Sequence, residues 1–377
     1  MSVWKTVRLG DVATYINGYA FKPSDWSNNG LPIIRIQNLT GNDYETNFFN
    51  GDIPEKFHIK NGDVLISWSA SLGVYEWKKT EALLNQHIFK VVFDKIDVDK
   101  AYFMFTVSNL LNAMSKQTHG STMRHITKPN FDNIPFPLPP LEIQKQIATQ
   151  LDKCTSIITK HKQMLEKYDT LIKSRFIEMF GTEKEFSKWN CCCVEDVADV
   201  TVGVVIKPTQ YYCEKGIPAF RSLNIGEMKV NDSDWVYFTE EGNEKNKKSI
   251  LKENDVLVVR SGAPGKSCVI TKKYEGFNVV DAIIAHPNLE KVNPVFLCMF
   301  TNMPHGMNQI KAKTGGAAQQ HFNVGGYNAL KMILPPLSLQ NEFASFVQQI
   351  DKSKLAVQKS LEKAETLYKS LMQEYFG

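Results

Sequence analysis

The sequence contains no apolar run approaching the ~20 residues a membrane-crossing helix needs. Its opening, Met1-Ser2-Val3-Trp4-Lys5, starts no signal peptide. There is no C-x-x-C pair. The seven cysteines are an odd set with Cys191, Cys192 and Cys193 contiguous. That pattern argues against a disulfide framework or a zinc site and reads as small apolar residues in a reducing cytoplasm. Charge of one sign is also missing, with 44 basic against 40 acidic side chains and a net charge of +4. Taken by segment, the net charge is +1 over 1–140, +2 over 141–181, +1 over 182–336 and zero over 337–377. With no basic tail, a polyanionic partner would have to be met by folded surfaces. Hydrophobic residues at 43% and charged residues at 22% exclude a largely disordered chain. At 377 residues, two or three domains are expected.

What is present is one plan written twice. Leu138-Pro139-Pro140-Leu141-Glu142-Ile143-Gln144 returns 196 positions later as Leu334-Pro335-Pro336-Leu337-Ser338-Leu339-Gln340. At that offset Phe180-Gly181 answers Phe376-Gly377, Gly120 answers Gly316 and His125 answers His321. Upstream the offset drifts, as it would across loops of unequal length. Gly62-Asp63-Val64-Leu65-Ile66 matches Asn254-Asp255-Val256-Leu257-Val258 at 192, and Arg35 with Asn38 matches Arg221 with Asn224 at 186. Gly10-Asp11-Val12 matches Glu195-Asp196-Val197 at 185.

Each copy has two textures. The first is rich in short β-favouring runs broken by Gly, Asn, Asp and Pro, such as Leu31 to Ile36, Val64 to Trp68, Ile88 to Phe93, Val256 to Val259 and Val269 to Thr271. Stretches near Lys100 to Met114 and Pro294 to Ile310 read as helices. The second texture is a long helix beginning after the double proline, which tolerates a first helical turn but not an interior. In the first copy the apolar seam is Ile147, Leu151, Cys154, Ile158, Leu165, Tyr168 and Ile172, with His161 and Arg175 interrupting. In the second it is Phe343, Val347, Ile350, Val357, Leu361, Tyr368 and Leu371, with Lys354 as the charged interruption. Steps of three and four keep the 3.5-residue period of a coiled coil for about five heptads.

These patterns predict an α+β protein: two similar domains, 1–140 and 182–336, separated by two long helices, 141–181 and 337–377. Chain order makes the helices antiparallel and relates the copies by a pseudo-two-fold axis. About 38 residues at 1.5 Å each give a rod of roughly 57 Å, against ~34 Å for a turn of B-DNA.

Signs of catalysis are weak. Gly262-Ala263-Pro264-Gly265-Lys266-Ser267 approaches a phosphate-binding loop, but Arg260 stands where the first glycine is required. Both Pro-Pro pairs are followed by Leu, not by the aromatic residue of an adenine methyltransferase motif. Asp63, Glu76 and Lys78 match a D…E-x-K nuclease pattern that would hold Mg²⁺, yet Asp255 in the second copy lacks its E-x-K. His87, His125 and His321 have no matched nucleophile and read as hydrogen-bonding surface residues.

The order of motifs resembles the specificity subunit of Type I restriction–modification systems. The residues that carry this are Leu9-Gly10-Asp11-Val12, Leu31 to Asn38, Lys60 to Ser67, Leu84-Asn85-Gln86-His87-Ile88, Gly120-Ser121-Thr122 with His125-Ile126, and Pro137 to Gln144. Each motif is short, but their order, given twice, spans the chain. The second copy departs from it: Asp281-Ala282 replaces the Asn-Gln pair and Gly315-Gly316-Ala317-Ala318-Gln319 loosens the Gly-Ser-Thr segment.

The resemblance implies that each domain reads one half of a bipartite double-stranded DNA site. The helices would set the gap and dock two modification subunits. Those partners would carry S-adenosylmethionine for adenine-N6 methylation, and restriction subunits would use ATP and Mg²⁺. This chain would hold no cofactor, no metal and no catalytic residue, and would be cytoplasmic with no membrane contact. The rival readings are a protein-only scaffold and the Asp63/Glu76/Lys78 nuclease.

Base reading needs matched donors and acceptors, whereas phosphate contacts only position. The candidates are Arg35, Gln37, Asn38, Ser121, Thr122, Arg124 and His125 in the first copy, and Arg221, Ser222, Asn224, Gln319, Gln320 and His321 in the second. Lys128, Arg260 and Lys266 are candidate phosphate contacts. Trp68 reads as core and not as an intercalating wedge.

Overall fold

The computed structural model describes residues 4–41, 46–117, 126–314 and 321–377. The chain forms two units, residues 1–162 with 359–377 and residues 163–358. Each takes one globular copy and half of each long helix.

In the first unit an antiparallel sheet runs in the order Thr14–Asn17, Ile88–Val92, Val64–Ser67, Gly73–Glu76. The second unit repeats it as Ala198–Val202, Ala282–Pro287, Val256–Val259, Ser267–Val269. Val64–Ser67 and Val256–Val259 are buried at every position. Their unbroken apolar runs therefore reflect strands covered on both faces, where alternation is not required. Each unit adds a second sheet with one parallel pair, Leu31–Ile34 on Ala82–Leu84 at the centre in the first and Ile217–Phe220 on Asn278–Val279 at the edge in the second. The edges differ. The first unit closes on His58–Ile59, the second on Tyr212–Cys213 at the other side. A glycine marks the crossing between sheets in both copies: a Cβ on Gly18 would lie 2.0 Å from the Asn85 carbonyl oxygen, and one on Gly203 would lie 2.4 Å from that of Val279.

Two expectations need correcting. The helix read through Pro294 to Ile310 is two helices, Pro294–Asn302 and Pro304–Lys313. Pro304 has no N–H to continue the first and forces Met303 into an extended backbone. Arg35 leaves the strand expected to reach Ile36, because the turn Ile36–Leu39 begins there.

The long helices are Leu141–Phe180 and Leu337–Phe376, 40 residues each. In the first unit, Gln150 accepts from the Tyr375 hydroxyl at 2.7 Å and Lys162 pairs with Glu365 at 3.0 Å. In the second, Lys354 pairs with Asp169 at 2.6 Å and Arg175 with Glu342 at 3.0 Å. As one helix advances the partner recedes, so the packing is antiparallel. The seam is inward. Ile147, Leu151, Ile172, Phe343, Val347 and Leu361 are buried, and Ile158, Leu165, Tyr168, Ile350, Val357, Tyr368 and Leu371 are half-buried. Lys354, the charged interruption, answers Asp169.

The helices also enter the domain cores. In the second unit Phe180 meets Phe296 at 4.9 Å and Phe343 at 5.8 Å, all three fully buried. In the first unit Phe376 meets Tyr102 at 5.8 Å.

Candidate nucleic-acid interface

The repeated motifs fall into two classes once placed: those that build the frame and those that decorate it. Gln144 and Gln340, the last residues of the Pro-Pro-Leu motif, are 1% and 0% exposed. Gln144 accepts from the Asp99 N–H at 2.9 Å and donates to the Pro139 carbonyl at 2.8 Å. Gln340 does the same with the Asn293 N–H at 2.8 Å and the Pro335 carbonyl at 2.8 Å. Each glutamine ties the start of a long helix to the start of its own domain's helix. The Asp of each Gly/Asn-Asp motif closes a turn: Asp63 accepts from the Lys60 N–H at 2.8 Å and Asp255 from the Lys252 N–H at 2.7 Å.

The Arg-x-x-Asn motif, expected from sequence at the DNA surface, takes part in the frame as well. Asn38 and Asn224 each accept from the backbone N–H of their arginine at 2.9 Å, capping the turn between. Asn224 also donates to the carbonyls of Ser233 and Asn231, at 2.7 and 3.2 Å, and is fully buried. Asn38 is 7% exposed. Neither amide is free to reach a base. Arg221 points inward too, donating to the Asp234 carbonyl with its Nε buried. The Arg35 guanidinium lies over the Trp26 ring at 4.6 Å. Gln37 and Ser222 are half-buried on these turns. Lys128 is exposed but pairs with Asp132 at 2.7 Å.

The nuclease triplet is not assembled. Asp63 pairs with Lys90 at 2.9 Å, and Glu76 with Lys100 at 2.5 Å and Lys78 at 3.2 Å. The Lys100 hydrogen bond holds the Glu76 carboxyl below its ordinary range, with Lys78 adding to it and burial opposing. Among the described residues no group of three or more acidic, histidine or cysteine side chains could hold a metal ion.

The decorating residues cluster where the central strand of each first sheet ends. In the second unit Arg260 follows Val259, and its Nη1 lies 3.2 Å from Asp281. The Ser261 hydroxyl contacts Asp281 at 3.1 Å and His321 Nδ1 at 2.8 Å. Lys266 is exposed on the same hairpin, where the Val259 N–H donates to its carbonyl at 2.8 Å, and Gly262 and Gly265 take left-handed φ of 83° and 96° in the turn. In the first unit the matching position is Trp68, whose indole donates to Asn17 at 3.2 Å and stacks on Phe89 at 5.5 Å. Ser121, Thr122, Arg124, His125, Gln319 and Gln320 lie outside the described residues.

One signal was available in the sequence and was missed. Ile157, Met164 and Leu171 stand seven residues apart on the first long helix, outside the seam, and are 45%, 40% and 45% exposed. They form a second apolar heptad line with no covering element among the described residues. No helix of the described residues is long and apolar enough to cross a membrane.

Comparison with known proteins places this architecture. The family model for the Type I restriction modification DNA specificity domain matches residues 1–167 and again 187–365. The Type I restriction enzyme EcoBI specificity subunit of Escherichia coli is 24% identical over 99% of this chain and 85% of its own. The MjaVIII specificity subunit of Methanocaldococcus jannaschii is 23% identical over 98% and 91%. Among solved structures, the Type-I restriction-modification system S subunit from M. genitalium superposes with a TM-score of 0.61 at 13% identity, covering 99% of this chain and 96% of that one. With two domain copies matched over most of its length, the chain belongs to the Type I restriction–modification DNA-specificity family.

Proposed function

We propose that this chain is the DNA-reading, non-catalytic subunit of a Type I restriction–modification complex. Residues 1–140 read one half of a bipartite, asymmetric site in double-stranded DNA and residues 182–336 read the other. The spacers 141–181 and 337–377 set the unspecified gap and dock two modification subunits, for which the exposed Ile157, Met164 and Leu171 line supplies apolar surface. Those partners carry S-adenosylmethionine and methylate adenine at N6; restriction subunits carry ATP and Mg²⁺. The assembly works in the cytoplasm. The DNA contacts come from Arg260, Lys266 and His321, from Gln37, and from the Gly-Ser-Thr segment and its counterpart, which hold Ser121, Thr122, Arg124, His125, Gln319 and Gln320.

One observation carries this reading: a single frame is built twice, and the side chains at matched strand ends differ. A frame fixed by hydrogen-bonded Gln, Asn and Asp with variable tips is what two independent half-site specificities require, since base edges are read by side-chain chemistry while the scaffold only positions. The test is a genome-wide map of N6-methyladenine with and without the gene. Loss of one gapped, bipartite motif is expected on deletion. An unchanged map in a strain whose modification subunits are intact would refute the reading. Removing one heptad from both long helices should change the gap and leave both half-sites as they were.

A further inference from the structure

The two copies share a backbone frame at the strand end where they differ. In the first, the Ile126 N–H donates to the Trp68 carbonyl at 3.1 Å; in the second, the Phe322 N–H donates to the Arg260 carbonyl at 3.0 Å. The Gly18 and Gly203 N–H groups likewise donate to the carbonyls of Ile88 and Ala282, just after residues in the left-handed region, His87 at φ 73° and Asp281 at φ 48°. The frame thus presents Trp68 with His87 in one copy and Arg260 with Asp281 in the other.

The second pairing is built to aim a guanidinium. Arg260 is tied by Nη1 to Asp281, and its Nε is buried with no partner. What remains for a ligand is the end-on edge of the fork, one hydrogen on Nη1 and two on Nη2. Asp281 is itself held, because Ser261 bonds its other carboxylate oxygen and bridges to His321. The ion pair is 22% and 36% exposed. At that exposure, solvent screening leaves little stabilisation to explain it. Orientation is what it provides.

The brace also decides between phosphate and base. A phosphate needs only a cation within reach, and a carboxylate beside that cation repels the phosphate oxygens. A guanine edge is uncharged and offers two acceptors, O6 and N7, spaced for the two ends of a guanidinium fork. We infer that Arg260, braced by Asp281, reads a guanine in the half-site of the second domain, and that the first domain, with Trp68 at the matched position, makes no such contact there. Arg260 is therefore a specificity determinant and not the phosphate contact expected from sequence, and Asp281 is its positioning residue. The inference rests on the DNA-reading function proposed above.

The experiment expresses the full chain with its modification subunits and maps N6-methyladenine for the unaltered chain, Arg260→Ala, Arg260→Lys and Asp281→Asn. Asparagine adopts the left-handed backbone as readily as aspartate, so Asp281→Asn removes the charge of the brace without disturbing the turn. In Arg260→Ala and Arg260→Lys, one G·C requirement in one half-site should relax by about tenfold or more while the other half-site stays intact. In Asp281→Asn the same position should relax less. Uniform weakening with an unaltered motif would overturn the inference in favour of a phosphate contact, and in that case the salt dependence of duplex binding would also drop by about one charge. Should Arg260→Ala abolish methylation altogether, an unaltered motif in both Arg260→Lys and Asp281→Asn would overturn it as well. If the unaltered chain itself yields no bipartite motif, the DNA-reading function fails and takes this inference with it; a motif without any G·C in one half-site refutes the inference alone.

Discussion

The two units are most alike where nothing is read and least alike where reading is proposed. Gln144 and Gln340 make matching hydrogen bonds, as do Asp63 and Asp255, and Gly18 and Gly203 sit in the same tight crossing. At the matched strand ends the first copy has an aromatic, indole-bonded Trp68 and the second a charged, carboxylate-braced Arg260. Duplication explains the first fact, and a division of recognition explains the second. The inference for any internally repeated protein is direct: residues shared by both copies are the poorer guide to specificity, because a residue that reads one sequence has no reason to recur in a domain that reads another.

The comparison breaks hardest at the helix ends that enter the cores. Phe180 is 1% exposed among Phe296, Phe343 and Trp189, whereas its counterpart Phe376 is only half-buried against Tyr102. Phe180→Ala should cost about 3–5 kcal/mol, the range for truncating a fully buried aromatic side chain. Phe376→Ala should cost less than half of that. Urea unfolding of the full chain separates them. Equal losses would mean that the two helix termini are equally locked and that the asymmetry seen here is not energetic.

Next come the buried amides. Gln144→Leu and Gln340→Leu each strand a backbone N–H and a proline carbonyl, Gln340 also losing a longer bond to the Lys291 carbonyl, and each should cost about 2–3 kcal/mol, alike in both copies. Asn224→Ala should cost about 2–3 kcal/mol because it orphans three backbone groups, against about 1 kcal/mol for the less enclosed Asn38→Ala. Thermal unfolding read at both transitions would assign each loss to its unit. A large change in half-site preference with Asn38→Ala would return that residue to the reading surface.

The sequence made the repeat, the seam and the α+β texture legible because period and order survive without side-chain contacts. It did not reveal the structural part that the Arg-x-x-Asn motif plays, for a physical reason. Asparagine is equally suited to an adenine edge and to a capped turn, and only burial separates the two roles. The break at Pro304 was visible as a residue and overlooked under a strong apolar pattern. Asp281 was noted as a departure from the Asn-Gln pair, but its meaning depends on backbone pairing. Asp281 matches Gln86 in its backbone hydrogen bond and His87 in its left-handed φ just before the next strand, so the first copy carries one extra residue at this corner. No count along the chain reveals which cation that carboxylate meets.

The smallest expected effect concerns the carboxylate once read as a metal ligand. Glu76 is held between Lys100 and Lys78 in the first unit, and its pKa is lowered chiefly by the Lys100 hydrogen bond. A depressed folded-state pKa stabilises the fold at pH above the unfolded value and loses that contribution as pH falls through the folded one. The affected window therefore begins near the ordinary carboxylate value of 4.5 and extends below it. Side-chain exposures of 31% and 39% discount the pair by solvent screening, so Lys100→Met should cost no more than about 1 kcal/mol near neutrality, and the deficit should vanish in acid. Chemical unfolding of the variant and the unaltered chain at pH 7 and pH 3 measures the difference. A deficit that persists at pH 3 would mean that Lys100 acts through its stem and its bond to the Gly62 carbonyl, at 2.6 Å, and not through Glu76.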